Sequence, residues 1–218
     1  MGDVEGWLFI TRSTASSSSE LLNQQQAQQP PPPPPLSMPA YHSAYNHATD
    51  YRPVANMVIL PIRSKIRGPA PPLANPSDMD IVDEALDLFK SNSLFRNFEI
   101  KGFADRVLIY LILFISDCLH RISLLKPHQN NKNEASKQLL SYSLDNFFLP
   151  GEPGFPMNGI YAPPKDKIDA DLLKQYLTQI RQECSLRLIE KVYNTPDGKP
   201  SKWWMCFQKR KFMGKSLS

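Results

Sequence analysis

Val107-Leu108-Ile109-Tyr110-Leu111-Ile112-Leu113-Phe114-Ile115 is the apolar centre of a longer stretch, residues 105–125, and its reading decides the fold. Asp105 and Arg106 stand before it; Asp117, His120 and Arg121 stand after. A helix that is hydrophobic on every side either spans a membrane or lies at the centre of a packed bundle. A span needs roughly 18 or more consecutive apolar residues, and this run stops at Ser116-Asp117. The stretch is therefore expected to be a buried central helix, with no membrane span. His120, near its C-terminal end, suits the negative end of the helix dipole. The rest of the folded chain is expected to wrap this helix, which makes the fold class all-α: a single mainly helical domain.

Working outward on the C-terminal side, the polar run 126–133 reads as a surface loop. A third helix is expected over 134–147, with Leu139, Leu140, Leu144 and Phe147 as its buried stripe. It stops before Pro150-Gly151-Glu152-Pro153-Gly154-Phe155-Pro156, a proline- and glycine-rich stretch that fixes a rigid turn. The longest helix is expected over 169–193, with Asp169 and Asp171 at its start. Leu173, Tyr176, Leu177, Ile180, Cys184, Leu188 and Val192 recur three or four apart and should pack on the central helix. Asn194-Thr195-Pro196-Asp197-Gly198 breaks the pattern.

From Lys199 onward there are six basic residues and no acidic one. Ser201 can cap a short helix that places Trp203 and Phe207 on one face, with Trp204 beside them. Two adjacent indoles do not both enter one core easily, so one of them, Trp204, is expected to anchor a partner. Lys202, Lys209, Arg210 and Lys211 surround it in sequence.

On the N-terminal side, a helix is expected over 78–90, capped by Ser77 or Asp78, with Asp80 and Asp83 at the positive end of its dipole. Ile81, Val82, Ala85, Leu88 and Phe89 should face the core. Residues 38–76 carry Pro39, Pro53, Pro61, Pro69, Pro71, Pro72 and Pro76, which rule out a long helix. Within this extended segment Met57-Val58-Ile59-Leu60 can lie on the core. Arg63, Lys65 and Arg67 alternate with Ser64, Ile66 and Gly68, so an extended chain puts the three charges on one side. That side is a solvated edge or a surface for an acidic partner. Residues 1–37 hold Ser16 to Ser19, a Gln-rich run and the prolines Pro30 to Pro35. Such composition has little to bury and is expected to be a disordered extension. Met38 is a candidate for the true first residue.

Among 218 residues the formal charge is only +4, which does not by itself point to nucleic acid. Cys118, Cys184 and Cys206 are an odd, widely spaced set with neither a disulfide nor a zinc pattern. The first two sit in apolar helical surroundings and read as small core hydrophobes. Trp7-Leu8-Phe9-Ile10 follows acidic Asp3 and Glu5 and is too short for a secretory signal. A protein of the reducing cytoplasm is expected. His42, His47, His120 and His128 show no metal-ligand spacing. No P-loop, G-x-G-x-x-G, G-x-S-x-G or H-E-x-x-H stands in the sequence. Neither catalysis nor a cofactor is expected. Two readings of other classes are a thiol enzyme using one of the three cysteines and a free-standing basic helical module for single-stranded nucleic acid. Because acidic residues run through the helical body, a basic edge facing an acidic protein is the simpler explanation.

Several stretches together resemble one family. They are Met38-Pro39-Ala40-Tyr41-His42-Ser43, Leu60-Pro61-Ile62-Arg63-Ser64, Gly68-Pro69-Ala70-Pro71, Asp80-Ile81-Val82-Asp83-Glu84-Ala85, Pro150 to Pro156, Lys199-Pro200-Ser201-Lys202-Trp203-Trp204 and Lys209-Arg210-Lys211-Phe212-Met213. In these the chain is similar to subunit 3 of the actin-related protein 2/3 complex, from Met38 to the C-terminus. Residues 1–37 have no counterpart in that family, and the loop 126–133 diverges from it. The resemblance implies a helical, non-catalytic subunit of a hetero-oligomer that nucleates branched actin filaments, in the cytoplasm and actin cytoskeleton. It implies contacts with an actin-related subunit and with scaffold subunits, and a position near the mother filament. It also implies that the partners, actin and its relatives, are acidic, so the basic residues Arg63, Lys65, Arg67, Lys202, Lys209, Arg210 and Lys211 are candidates to meet them.

Overall fold

A computed structural model describes residues 40–217 except 49 and 129; the expected disordered extension at 1–37 lies outside the described residues. The chain is mainly helical, as expected. The helices are α1 (Ile81–Asn92), α2 (Phe103–Ser123), α3 (Lys132–Leu144), α4 (Lys167–Val192) and the single turn α5 (Lys202–Met205). Short 3₁₀ turns occupy Ala44–His47 and Phe212–Gly214. The one strand pair among the described residues joins β1 (Pro53–Val54) to β2 (Met57–Val58), antiparallel, with Pro53 opposite Val58 and Val54 opposite Met57.

The apolar run forms the axle. Every residue of Val107 to Ile115 on α2 is buried, and α1, α3, α4 and β2 lie against it. No helix among the described residues is long and apolar enough to cross a membrane. The extended stretch Met57 to Leu60 is buried as well, and the Leu60 N–H donates to the Tyr176 hydroxyl of α4 at 3.1 Å.

The first helix begins later than its composition implies. Its cap is Asp80, not Ser77 or Asp78, and the Asp80 carboxylate accepts from the Val82 and Asp83 N–H groups. The same buried carboxylate also accepts from the Arg63 N–H at 2.8 Å and from Arg187 at 2.7 and 2.8 Å. Only a cap pointing inward can serve three elements, which is why the later acid takes the position. Ile81, Val82, Ala85 and Phe89 face the core as expected, Leu88 packs against it half-buried, and Leu86 is buried in addition.

The third helix departs further from its expected stripe. Asn131 caps it, and the chain turns extended at Asp145. Ala135, Leu139 and Tyr142 are buried; Leu140 and Leu144 are 40% and 58% exposed. Tyr142 claims the inner face because it has more to gain there. Its ring stacks on Phe114 at 5.3 Å, with the Arg121 guanidinium 3.7 Å above, and its hydroxyl donates to Asp117 at 3.1 Å. Leu140 and Leu144, four residues apart, are thereby turned outward together.

On α4 all seven apolar positions of the expected stripe are buried. Asp166, rather than Asp169, is the cap and accepts from the Asp169 N–H. The helix packs along α2, as expected, and along α3. Arg181 is buried within it, held among the rings of Phe114, Tyr142 and Phe147 at 4.8, 5.0 and 4.3 Å and donating to the Tyr142 carbonyl.

Candidate partner interface

Two segments were expected to present charge, and the fold positions each by a different device. The first, residues 62–68, is extended and pinned to α4 by Gln179. That side chain accepts from the Ala70 N–H at 2.9 Å and donates to the Ile66 carbonyl at 2.8 Å. Gly68 permits the approach, since a Cβ there would lie 2.2 Å from the Gln179 Oε1. Arg63, Lys65 and Arg67 all point to solvent, as the alternation requires. Arg63 is nevertheless engaged, with its guanidinium 2.9 Å from Asp83 and bonded to the Pro76 carbonyl. Lys65 and Arg67 make no ion pair among the described residues.

The second segment follows α4. The Ser201 N–H donates to the Val192 carbonyl at 2.8 Å, which turns the chain back along α1. Trp204 then drops onto Phe89, ring centroids 5.9 Å apart and nearly parallel at 16°, with the Lys90 ammonium 4.6 Å from the indole. Phe207 meets the same Phe89 ring edge-on at 5.8 Å. Farther on, Phe212 is buried against Phe98. Two aromatic anchors thus fasten the tail, and its charges are left outside. Lys202, Lys209, Arg210 and Lys211 are exposed and make no ion pair among the described residues.

Trp204, the indole chosen from the sequence as the anchor for a partner, is only 7% exposed; its ring is used by the chain's own core. The other indole, Trp203, is 80% exposed. Adjacent positions on a single helical turn face apart, and the sequence offers no signal to say which one faces Phe89. The two charged segments also do not merge. Arg63 lies against the N-terminal end of α1 through Asp83, whereas the tail lies against the C-terminal end of α1 through Phe89 and Lys90.

Lys209, Arg210 and Lys211 line a pocket of about 430 Å³ that also holds Asp117 and His120 of α2. His120 was expected to complement the helix dipole, and it does sit in the last turn of α2. Its place beside the tail was not legible from sequence.

Two buried carboxylates hold the N-terminal entry. Asp105 accepts from the Ser43 N–H at 2.8 Å, the Asn46 amide at 2.7 Å and the Lys101 N–H at 2.9 Å, and lies 2.8 Å from His42 Nδ1. Glu84 accepts from the Ser43 hydroxyl at 2.6 Å and the Ala44 N–H at 2.7 Å. Burial raises the Glu84 carboxyl above its ordinary range, against the pull of those two donors.

Cys118 and Cys184 behave as the small hydrophobes expected, whereas Cys206 is exposed. Cys118 and Cys184 are buried, and burial pushes both thiols up, away from the thiolate that nucleophilic chemistry requires. No group of three or more His, Cys, Asp or Glu side chains among the described residues is placed to hold a metal ion.

Comparison with known proteins gives one consistent answer. The family described as the ARP2/3 complex ARPC3 (21 kDa) subunit matches residues 38–217. A relative named actin-related protein 2/3 complex subunit 3 from Schizosaccharomyces pombe is 52% identical over 180 residues, covering 83% of this chain and 100% of that protein. Its namesake in Saccharomyces cerevisiae is 53% identical over 185 residues, again covering 83% and 100%. The one in Arabidopsis thaliana is 38% identical over 173 residues, 79% of this chain and 96% of that protein. With its buried axle, proline-rich entry and basic aromatic tail all inside the matched region, this chain belongs to the ARPC3 (21 kDa) subunit family of the ARP2/3 complex.

Proposed function

We propose that this chain is a non-catalytic structural subunit of the actin-related protein 2/3 complex, acting in the cytoplasm and actin cytoskeleton. Residues 38–218 form its family domain, and residues 1–37 are an extension that the domain does not need. Its role is geometric. Small actin oligomers dissociate before they grow, so a scaffold that holds two actin-like subunits in filament register supplies a template. This chain holds one actin-related subunit in place, beside the scaffold subunits and near the mother filament. The observation that carries the reading is the match along residues 38–217 to relatives whose names place them in that complex.

The surface we assign to the partner is the tail. Actin-like proteins are acidic, as the family resemblance implies. Exposed Lys202, Lys209, Arg210 and Lys211 speed encounter and fix orientation with such a partner, while exposed Trp203 supplies the apolar anchor that slows release. Arg63, Lys65 and Arg67 form a second, weaker patch, since Arg63 is already paired with Asp83. Purification from native extract, with identification of the co-eluting chains, tests the proposal. Recovery of the chain as a lone monomer would overturn it. Charge reversal at Lys209, Arg210 and Lys211 should lower the association rate, and the difference should shrink at high salt.

A further inference from the structure

The end of the chain is clasped by one carboxylate. Asp117 of α2 accepts from the Ser216 hydroxyl at 2.6 Å and from the Leu217 N–H at 2.9 Å. It also accepts from the Tyr142 hydroxyl at 3.1 Å. Beside this clasp lies the pocket of about 430 Å³ whose lining includes Asp117, His120, Lys209, Arg210, Lys211 and Ser216. The negative clasp, the Ser216 hydroxyl bonded to it, and three cations that make no ion pair among the described residues therefore line one cavity.

We infer that Ser216 is a phosphorylation site for a serine kinase that prefers basic sequence, and that Lys209, Arg210 and Lys211 capture the phosphate. The local sequence suits such an enzyme, with Lys215 immediately before the serine and Lys209-Arg210-Lys211 upstream. Access is built in as well. Phe212 is the last deeply buried anchor of the tail, and the chain leaves it through Gly214 at φ +69 into extended Lys215. The strap 215–217, in which Lys215 is exposed and Ser216 and Leu217 are half-buried, must lift for Ser216 to enter a kinase cleft, while Phe212 stays seated on Phe98. In the transfer, the Ser216 oxygen attacks the γ-phosphorus of ATP. Its proton passes to the kinase's base, an Oγ–P bond forms, and the bond to the departing ADP breaks.

The product changes sides of the cavity. A phosphoserine brings about −1.5 to −2 charge near neutral pH and has lost the hydroxyl donor. Facing Asp117 it is repelled; facing Lys209, Arg210 and Lys211 it makes charge-assisted hydrogen bonds. The clasp opens, and the basic patch is partly neutralised. Slower association with an acidic partner follows from this, a consequence that rests on the partner role proposed for the tail.

Exposed Cys206 gives a traceless route to the test. A synthetic peptide 206–218 with phosphoserine at 216 is ligated to residues 1–205, giving the full chain. The ³¹P titration midpoint, ordinarily near about 6, should fall relative to the same ligated chain carrying Lys209→Gln, Arg210→Gln and Lys211→Gln. Hydrogen exchange at the Leu217 amide should rise at least about tenfold over the unphosphorylated chain as the clasp opens. Equal midpoints with an unchanged Leu217 amide would overturn the capture. For the site itself, the full chain is incubated with ATP and protein kinase C, and in parallel isolated from cells treated with phosphatase inhibitors. Phosphate mapped to Ser216 supports the inference; phosphate found in neither material, or only on other serines, sinks it. If charge reversal at Lys209, Arg210 and Lys211 leaves assembly unchanged, the tail's docking role fails, while the mapped phosphate and the ³¹P shift still report on Ser216 alone.

Discussion

Replacing each of two neighbouring indoles by alanine should separate folding from assembly. Trp204→Ala removes a ring that is 7% exposed, stacked on Phe89 at 5.9 Å and covered by the Lys90 ammonium at 4.6 Å. Truncating a buried Trp costs about 3–5 kcal/mol. The site lies near the surface and Phe207 can settle into part of the gap, so the lower figure, about 3 kcal/mol, applies. For a domain of this size that lowers the midpoint by about 6–12 °C. Trp203→Ala removes a ring that is 80% exposed, so its effect on stability stays within about 0.5 kcal/mol. If Trp203 is the partner anchor, its loss costs about 2 kcal/mol of binding, roughly thirtyfold in the dissociation rate. Thermal melts of the isolated chain read the first effect. Surface-plasmon dissociation from a complex reconstituted without this subunit reads the second. Equal melting losses in the two variants would refute the burial assignment. An unchanged dissociation rate for Trp203→Ala would remove the anchor and leave the tail's role to its charges.

Other outcomes follow from the same structure. Leu111→Asp places an unpaired charge at the centre of α2 and should abolish cooperative unfolding; a melt near the parent's would contradict the axle. Arg187→Ala strips the buried Asp80 of its main cation and should cost about 3 kcal/mol in urea denaturation at pH 7. Burial raises the Asp80 carboxyl, but the bonds from Arg187 and from the Asp83 and Arg63 N–H groups outweigh it and hold it below the usual range. Its contribution is therefore present above the unfolded value of about 3.9 and is lost as pH falls through the lower folded value. Stability measured between pH 5 and 2 should fall less steeply in Asp80→Asn than in the parent. A chain beginning at Met38 should keep the parent's helical signal and melting midpoint, and a large loss in either would show that residues 1–37 matter to the fold.

Legibility in this sequence follows how much of each residue's fate is set locally. The run Val107 to Ile115 needs no partner to be recognised, because its apolar character is the same on every side. On α4 the seven buried positions lie at helical spacing and no competing aromatic interrupts them, so the face could be read directly. On α3 the spacing of the leucines pointed one way and Tyr142 pointed another. Tyr142 won because Phe114, Arg121 and Asp117 await it, and all three lie outside the helix that had to be read. Asp80, Asp105 and Asp117 share that character. Each looks like an ordinary helix-end or interrupting acid in sequence, yet each gathers donors from segments far along the chain, such as Arg187, Asn46 and Leu217. The candidate site was legible in composition but not in orientation. The basic residues could be named, and the indole that faces outward could not, because neighbours on one turn differ only in what lies beneath them.

The distribution of charge gives the tail its significance. The chain carries +4 overall while Lys199 to Lys215 alone holds six bases and no acid, so outside the tail the acids outnumber the bases by two. In the body, several cations are matched within the chain: Arg187 to Asp80, Asp83 and Glu183, Arg63 to Asp83, Lys132 to Glu190, and Lys191 to Asp87. Asp117, the acid that lines a pocket with Lys209, Arg210 and Lys211, is already engaged by Tyr142, Ser216 and Leu217. Folding thus spends the buried acids Asp80, Glu84, Asp105 and Asp117 on the chain's own architecture, and Lys202, Lys209, Arg210 and Lys211 make no ion pair among the described residues. Exposed charges of this kind contribute little to stability. Their physical effect lies at longer range, over roughly a Debye length of 8 Å at physiological salt, where they bias how an approaching acidic surface is met. Phe89 and Phe98 hold the tail's backbone through Trp204 and Phe212, so that bias has a fixed direction relative to the helices, which is what the geometric role proposed above requires.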